Sequence, residues 1–211
     1  MLRGVHTALA TPFRDGALDL DAYAALCQDQ LTCGIHGLVA NGTTGESATQ
    51  TDDEWAQVVS TAVRVSAGRV PVTAGCGTNN TATTVALVER AAALGADAAL
   101  VVLPYYNKPN PAGHRRHLAA VTAVGLPVVA YHVPGRTAQR LSAELLAELT
   151  NFDGVVALKE ATGDVGFGSD LVAACPDRAV LSGDDFTMFP LIAVGGVGGI
   201  SVMSNVAPRT T

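Results

Sequence analysis

Short runs rich in valine, alanine and leucine recur along the chain at 5–10, 36–41, 70–74, 98–103, 127–132, 154–158, 178–183 and 198–203. Between them, apolar positions return with helical spacing. In 21–33, Tyr23, Leu26, Cys27 and Leu31 fall near one face, and Gly34 stands where a helix stop belongs. Thr51 with Glu54 three residues on predicts a capping box opening a helix over 51–67. Asn110 followed by Pro111 reads as an N-cap and a first-turn proline, and Ser142 can cap "AELLAEL".

Strands alternating with helices predict a parallel sheet. Eight strands at spacings of roughly 20 to 34 residues predict an α/β fold of the (β/α)₈ TIM-barrel type. A doubly wound open sheet is the rival, but it would want a phosphate-binding glycine turn after its first strand, and "ALATPFRDG" is not one. After the eighth strand only "NVAPRTT" follows. The expectation is therefore a single barrel domain over 1–211, truncated after the eighth strand and lacking the eighth helix.

Composition narrows the class. The chain has 211 residues, 48% hydrophobic and 15% charged, which suits a sizeable core and excludes disorder. A net charge of −6 argues against nucleic acid, the densest basic run being "HRRH" at 114–117. His114 and His117, three apart with arginines between them, read as a solvated helix face rather than metal ligands. Cys27, Cys33, Cys76 and Cys175 form no CxxC pair and read as reduced thiols. Neither a signal peptide nor a membrane span is legible, so the expectation is a cytoplasmic protein with no membrane partner.

In such a barrel, active sites lie at the C-terminal ends of the strands. The second strand ends in "NGTTGES", where Thr43 and Thr44 set hydroxyls and backbone amides between two glycines, a cradle suited to a carboxylate. The fourth ends in "PYYNKP". The fifth ends in "YHVPGRT", where alternation points Tyr131 inward and Arg136 offers a planar fork for a carboxylate. The sixth, "GVVALKEATGD", delivers Lys159 inward beside Tyr131. A lysine desolvated there favours the neutral, nucleophilic amine. The seventh and eighth end in "LSGDD" and "GGISVMSN". "GGVGG" at 195–199 precedes a strand and lacks nucleotide-loop spacing.

The set "GTTGES", "YYNKP", "YHVPGRT", "ALKEATGD", "LSGDD" and "GGISV", in order and register from about residue 4 to residue 208, resembles the dihydrodipicolinate synthase and N-acetylneuraminate lyase superfamily. The resemblance implies a class I, aldolase-like barrel that condenses pyruvate, held as an imine, with L-aspartate 4-semialdehyde on the way to lysine and diaminopimelate. Lys159 would form the imine, and no separate cofactor or metal would be needed. Tyr131, Thr43 and Tyr106 would relay protons, Tyr106 reaching into a neighbouring subunit's site. Thr44 would hold the pyruvate carboxylate and Arg136 that of the aldehyde, while Gly183 and Ile200 line the lysine's pocket. A homodimer or homotetramer is implied.

Several features depart from the family pattern. His132 stands where asparagine is usual, and Gly166 and Gly168 sit at the start of the sixth helix, at about 1 kcal/mol each. Members continue through an eighth helix and a small C-terminal helical domain. In lysine-inhibited members an interface pocket takes the end product. Ser47, Ala48, Asn79 and Tyr105 match that pocket, whereas Asp52 and Trp55 replace its histidines and Thr83 its glutamate. Rival readings are an aldolase for a 2-keto-3-deoxy sugar acid or N-acetylneuraminate, which normally lacks the "PGRT" arginine, and a catalytically dead binding or assembly protein.

Overall fold

The computed structural model describes residues 2–211. Strands and helices alternate in the order β1 (Gly4–Ala8), β2 (Phe13–Arg14), β3 (Ala17–Leu18), α1 (Leu20–Thr32), β4 (Gly37–Ala40), α2 (Asp52–Ser66), β5 (Val72–Gly75), α3 (Thr81–Ala93) and β6 (Ala98–Val102). They continue as α4 (Pro111–Thr122), β7 (Val128–His132), α5 (Pro134–Thr137), α6 (Ala143–Thr150), β8 (Val155–Glu160), α7 (Val165–Ala174), β9 (Ala179–Ser182), α8 (Asp185–Ala193) and β10 (Gly198–Ser201). Eight of the strands close a barrel in the order β1-β4-β5-β6-β7-β8-β9-β10, and each registered neighbouring pair is parallel.

All eight apolar runs read from the sequence are barrel strands. The remaining two strands form a small hairpin, β2–β3, that the hydrophobic pattern did not announce. Its turn is Asp15–Gly16, both at positive φ (53° and 82°), the backbone that a two-residue hairpin turn demands.

The expectation of a barrel one helix short is corrected. Eight α-helices are present among the described residues, from α1 to α8. The sequence pattern announces no helix at α5, a single turn over "PGRT". Pro134 starts it because its fixed φ suits a first helical position, and Ala138, at φ 56°, ends it. Strand β10 leads into a 3₁₀ turn, Met203–Asn205.

Helix ends follow the sequence signals. Thr51 and Glu54 form a reciprocal capping box, and Asn110 and Ser142 cap α4 and α6 through their side chains. Such a cap contributes about 1 kcal/mol. In α7, the side chain of Leu191 from α8 lies over Gly168, with its Cδ1 2.6 Å from where a Cβ would stand.

Two apolar layers result. Outward strand residues such as Leu38, Val101, Ala130 and Leu158 pack against the helices. Inward ones, among them Val39, Leu100, Val129, Ala157, Leu181 and Ile200, fill the barrel. The barrel interior is thus filled by side chains, as this fold requires.

His114 and His117 do not lie on a solvated face. They are 1% and 3% exposed, because α4 turns that side toward α3 and α6. His117 Nδ1 pairs with Thr81 Oγ1 at 2.9 Å, and burial lowers the pKa of both rings. The four cysteines are free, as expected, with Cys33 only half-buried.

Candidate active site

Alternation along β7 and β8 sends Tyr131 and Lys159 into the mouth of the barrel, and the register pairs them directly. Lys159 is 7% exposed, and its Nζ lies 4.2 Å from the centroid of the Tyr131 ring. Burial brings the lysine pKa down to about 8. The Arg136 charge pushes the same way, while Asp184 and Asp185 resist it. Near neutral pH a useful fraction of the amine is therefore unprotonated and nucleophilic. Burial likewise pushes the Tyr131 hydroxyl up to about 12, so it stays protonated and able to donate.

A cavity of about 160 Å³ opens above this pair. Thr43, Thr44, Arg136, Gly183 and Asp184 line it together with Tyr131 and Lys159. Thr43 and Thr44 begin a 3₁₀ turn, Thr43–Gly45, whose first two amides take no backbone partner. Glycine at 45 keeps this turn close to β1, since a Cβ there would lie a tight 3.0 Å from the Leu9 carbonyl oxygen. Gly183 stands against the lysine stem: a Cβ at this position would fall 2.9 Å from Lys159 Cε. Arg136 reaches the cavity from α5 and forms no ion pair among the described residues.

Two residues singled out in the sequence stand apart. Ile200 is buried in the barrel interior, beneath the cavity rather than on its wall. Tyr106, at φ 69°, is 86% exposed and lines neither the cavity nor its neighbour. Tyr105, the adjacent tyrosine, lines a second cavity of about 450 Å³ that meets the first at Gly42, Thr43, Leu100, Tyr131 and Arg136.

Asp184 was not picked out from the sequence, although "LSGDD" carries it at a strand end. Its neighbour Asp185 has a structural task, accepting hydrogen bonds from Ser201 Oγ and from the backbone amides of Val202 and Met203. Among the described residues, no group of three or more histidine, cysteine or acidic side chains is arranged to hold a metal ion. No helix among them is long and apolar enough to cross a membrane.

An inward lysine and tyrosine thus lie side by side at the mouth of a (β/α)₈ barrel, with the Thr43–Gly45 turn on the wall of the same cavity. The sequence profile of the dihydrodipicolinate synthetase family matches residues 1–211. A 4-hydroxy-tetrahydrodipicolinate synthase from Maridesulfovibrio salexigens is 49% identical over 209 residues, 98% of this chain and 72% of the relative. The crystal structure of a dihydrodipicolinate synthase from Acinetobacter baumannii, complexed with pyruvate, superimposes with a TM-score of 0.97 at 40% identity, covering 99% of this chain and 73% of that one. The corresponding enzyme of Cyanidioschyzon merolae, solved with lysine bound, gives 0.93 at 36% identity, covering 98% and 72%.

The chain belongs to the dihydrodipicolinate synthetase family. It is a carbon–carbon lyase of the Schiff-base type, one that condenses pyruvate with an aldehyde in lysine and diaminopimelate biosynthesis.

Proposed function

We propose that this enzyme forms a pyruvate imine on Lys159 and condenses it with L-aspartate 4-semialdehyde. The supporting observation is the placement of Lys159, a desolvated amine with a pKa near 8, against Tyr131 and below the free amides at Thr43 and Thr44. The neutral amine attacks the keto carbon and water leaves. The imine then withdraws electrons from the neighbouring methyl group, which loses a proton to become an enamine. That enamine carbon attacks the aldehyde, whose oxygen takes up a proton. Each proton transfer needs a hydroxyl close by. Tyr131 and Thr43 supply them within the chain.

Thr44 holds the pyruvate carboxylate with the amides around it, and Arg136 takes the carboxylate of the aldehyde in a bidentate contact. Gly183 leaves room for the lysine stem. Ile200 sets the floor beneath it. Tyr106, exposed in a single chain, completes the relay of a second copy in a homodimer or homotetramer.

The end product binds weakly. The relative from Cyanidioschyzon merolae was solved with lysine bound. In this chain Trp55 is buried, its Nε1 donating to the Gly75 carbonyl at 3.0 Å, and Thr83 has no charge to offer an ammonium. The test of the whole reading is borohydride trapping in the presence of pyruvate followed by peptide mapping. A reduced adduct on Lys159 is expected, and folded protein left unlabelled at that residue overturns the mechanism.

A further inference from the structure

Among the described residues, every α-helix N-cap side chain from the Asp, Asn, Ser and Thr group accepts a backbone amide of its own helix, with one exception. Asp19, Thr51, Asn80, Asn110, Ser142 and Asp164 all do so. Asp184, at the N-cap of α8, makes no side-chain capping bond. Its carboxylate accepts no hydrogen bond and forms no ion pair within 4 Å among the described residues. It lines the catalytic cavity instead. An aspartate that forgoes a cap worth about 1 kcal/mol calls for another partner.

The cavity's charges suggest what that partner is. Apart from Lys159, which becomes the imine, the charged side chains on the wall among the described residues are Arg136 and Asp184. One guanidinium and one carboxylate complement a zwitterion, a molecule that carries a carboxylate and an ammonium on the same carbon. Partial burial raises the pKa of Asp184, while the Lys159 charge opposes that rise. When the lysine nitrogen is bound up in the reaction, the carboxylate is left facing the incoming substrate.

We infer that Asp184 is a specificity residue that receives the ammonium group of the aldehyde, so that the site selects α-amino-acid aldehydes over aldehydes carrying a carboxylate alone. The inference rests on the functional reading above and adds to it the group that recognises the amino end.

The test compares aspartate 4-semialdehyde with succinate semialdehyde, which has the same chain and carboxylate but no ammonium. Both are measured on the unmodified enzyme and on Asp184→Asn, the second aldehyde as a competitive inhibitor. Loss of a charge-assisted contact should lower kcat/KM for aspartate semialdehyde roughly 10- to 100-fold, mainly through KM. Inhibition by succinate semialdehyde should stay within about twofold, because that molecule never used the carboxylate. Borohydride trapping of the pyruvate imine on the variant serves as the control that fold and lysine are intact. An unchanged preference between the two aldehydes overturns the inference, whatever happens to imine formation. An unmodified enzyme that traps pyruvate but ignores aspartate semialdehyde overturns the choice of second substrate and this inference with it.

Discussion

The amine of Lys159 sits 4.2 Å from the ring centroid of Tyr131, and the two residues are register partners on adjacent strands. One strand-to-strand alignment therefore sets the buried amine against the tyrosine ring. Burial alone shifts both groups toward their uncharged forms, which is the pairing that imine chemistry needs at neutral pH.

The pH dependence of imine formation follows from the lysine value. With a pKa of about 8, the neutral amine grows about tenfold from pH 6 to pH 7 and levels off a little above pH 8. An unperturbed lysine would keep gaining to about pH 10.4. Stopped-flow or trapping rates with pyruvate across pH 6 to 10 distinguish the two. Tyr131→Phe should retain the imine yet lower turnover on the order of 10²- to 10⁴-fold.

Arg136→Ala separates the two substrates. A charge-assisted bidentate contact is worth on the order of 2–4 kcal/mol, so kcat/KM for aspartate semialdehyde should fall roughly 30- to 1000-fold. Pyruvate imine formation should change little. Equal damage to both steps would make Arg136 structural, and efficient turnover of 2-keto-3-deoxy sugar acids by the unmodified enzyme would favour the aldolase reading.

Acid should unfold this protein early. Burial holds His6, His117 and His132 at about 4 in the folded state, below the ordinary 6.5 that they regain on unfolding. Between those values the unfolded chain binds more protons, so stability falls as pH drops from 6.5 to 4. Above 6.5 the effect vanishes. At pH 5 each ring costs about 2 kcal/mol, about 6 together, a large share of a typical 5–15 kcal/mol. Urea midpoints at pH 7.5 and pH 5.0 measure it, and equal midpoints would refute it.

L-Lysine should be a poor inhibitor. Leaving one partner of a partly buried charge pair unmatched costs roughly 3 kcal/mol, which weakens binding at least about a hundredfold. Calorimetry on the enzyme should show no lysine binding below about 1 mM. Tight binding abolished by substitution at Asn79 or Tyr105 would contradict this.

The strands were legible because each is an apolar run ended by glycine, proline or a polar cluster, and alternation then fixed the directions of Tyr131 and Lys159. What stayed hidden depended on tertiary surroundings. "HRRH" looks solvated as a string, yet α4 turns His114 and His117 inward and leaves Arg115 to pair with Glu148 at the surface. Helix α5 is too short to show a period. Asp184 and Asp185 are adjacent and identical, but one braces the last strand while the other lines the cavity. Only the turn between β9 and α8 separates those tasks.

The first and last strands meet through side chains as well as backbone. Asn205 receives the Ala10 amide and donates to the Ala8 carbonyl, and Gln30 links Thr7 to the Ser204 carbonyl. During synthesis these partners are made nearly 200 residues apart. A nascent chain that has not yet delivered β10 therefore carries an open parallel sheet, with β1 and β9 as bare edges. Such edges invite pairing with other chains. The placement of β10 between β1 and β9 thus decides whether the sheet closes on itself or on a neighbour.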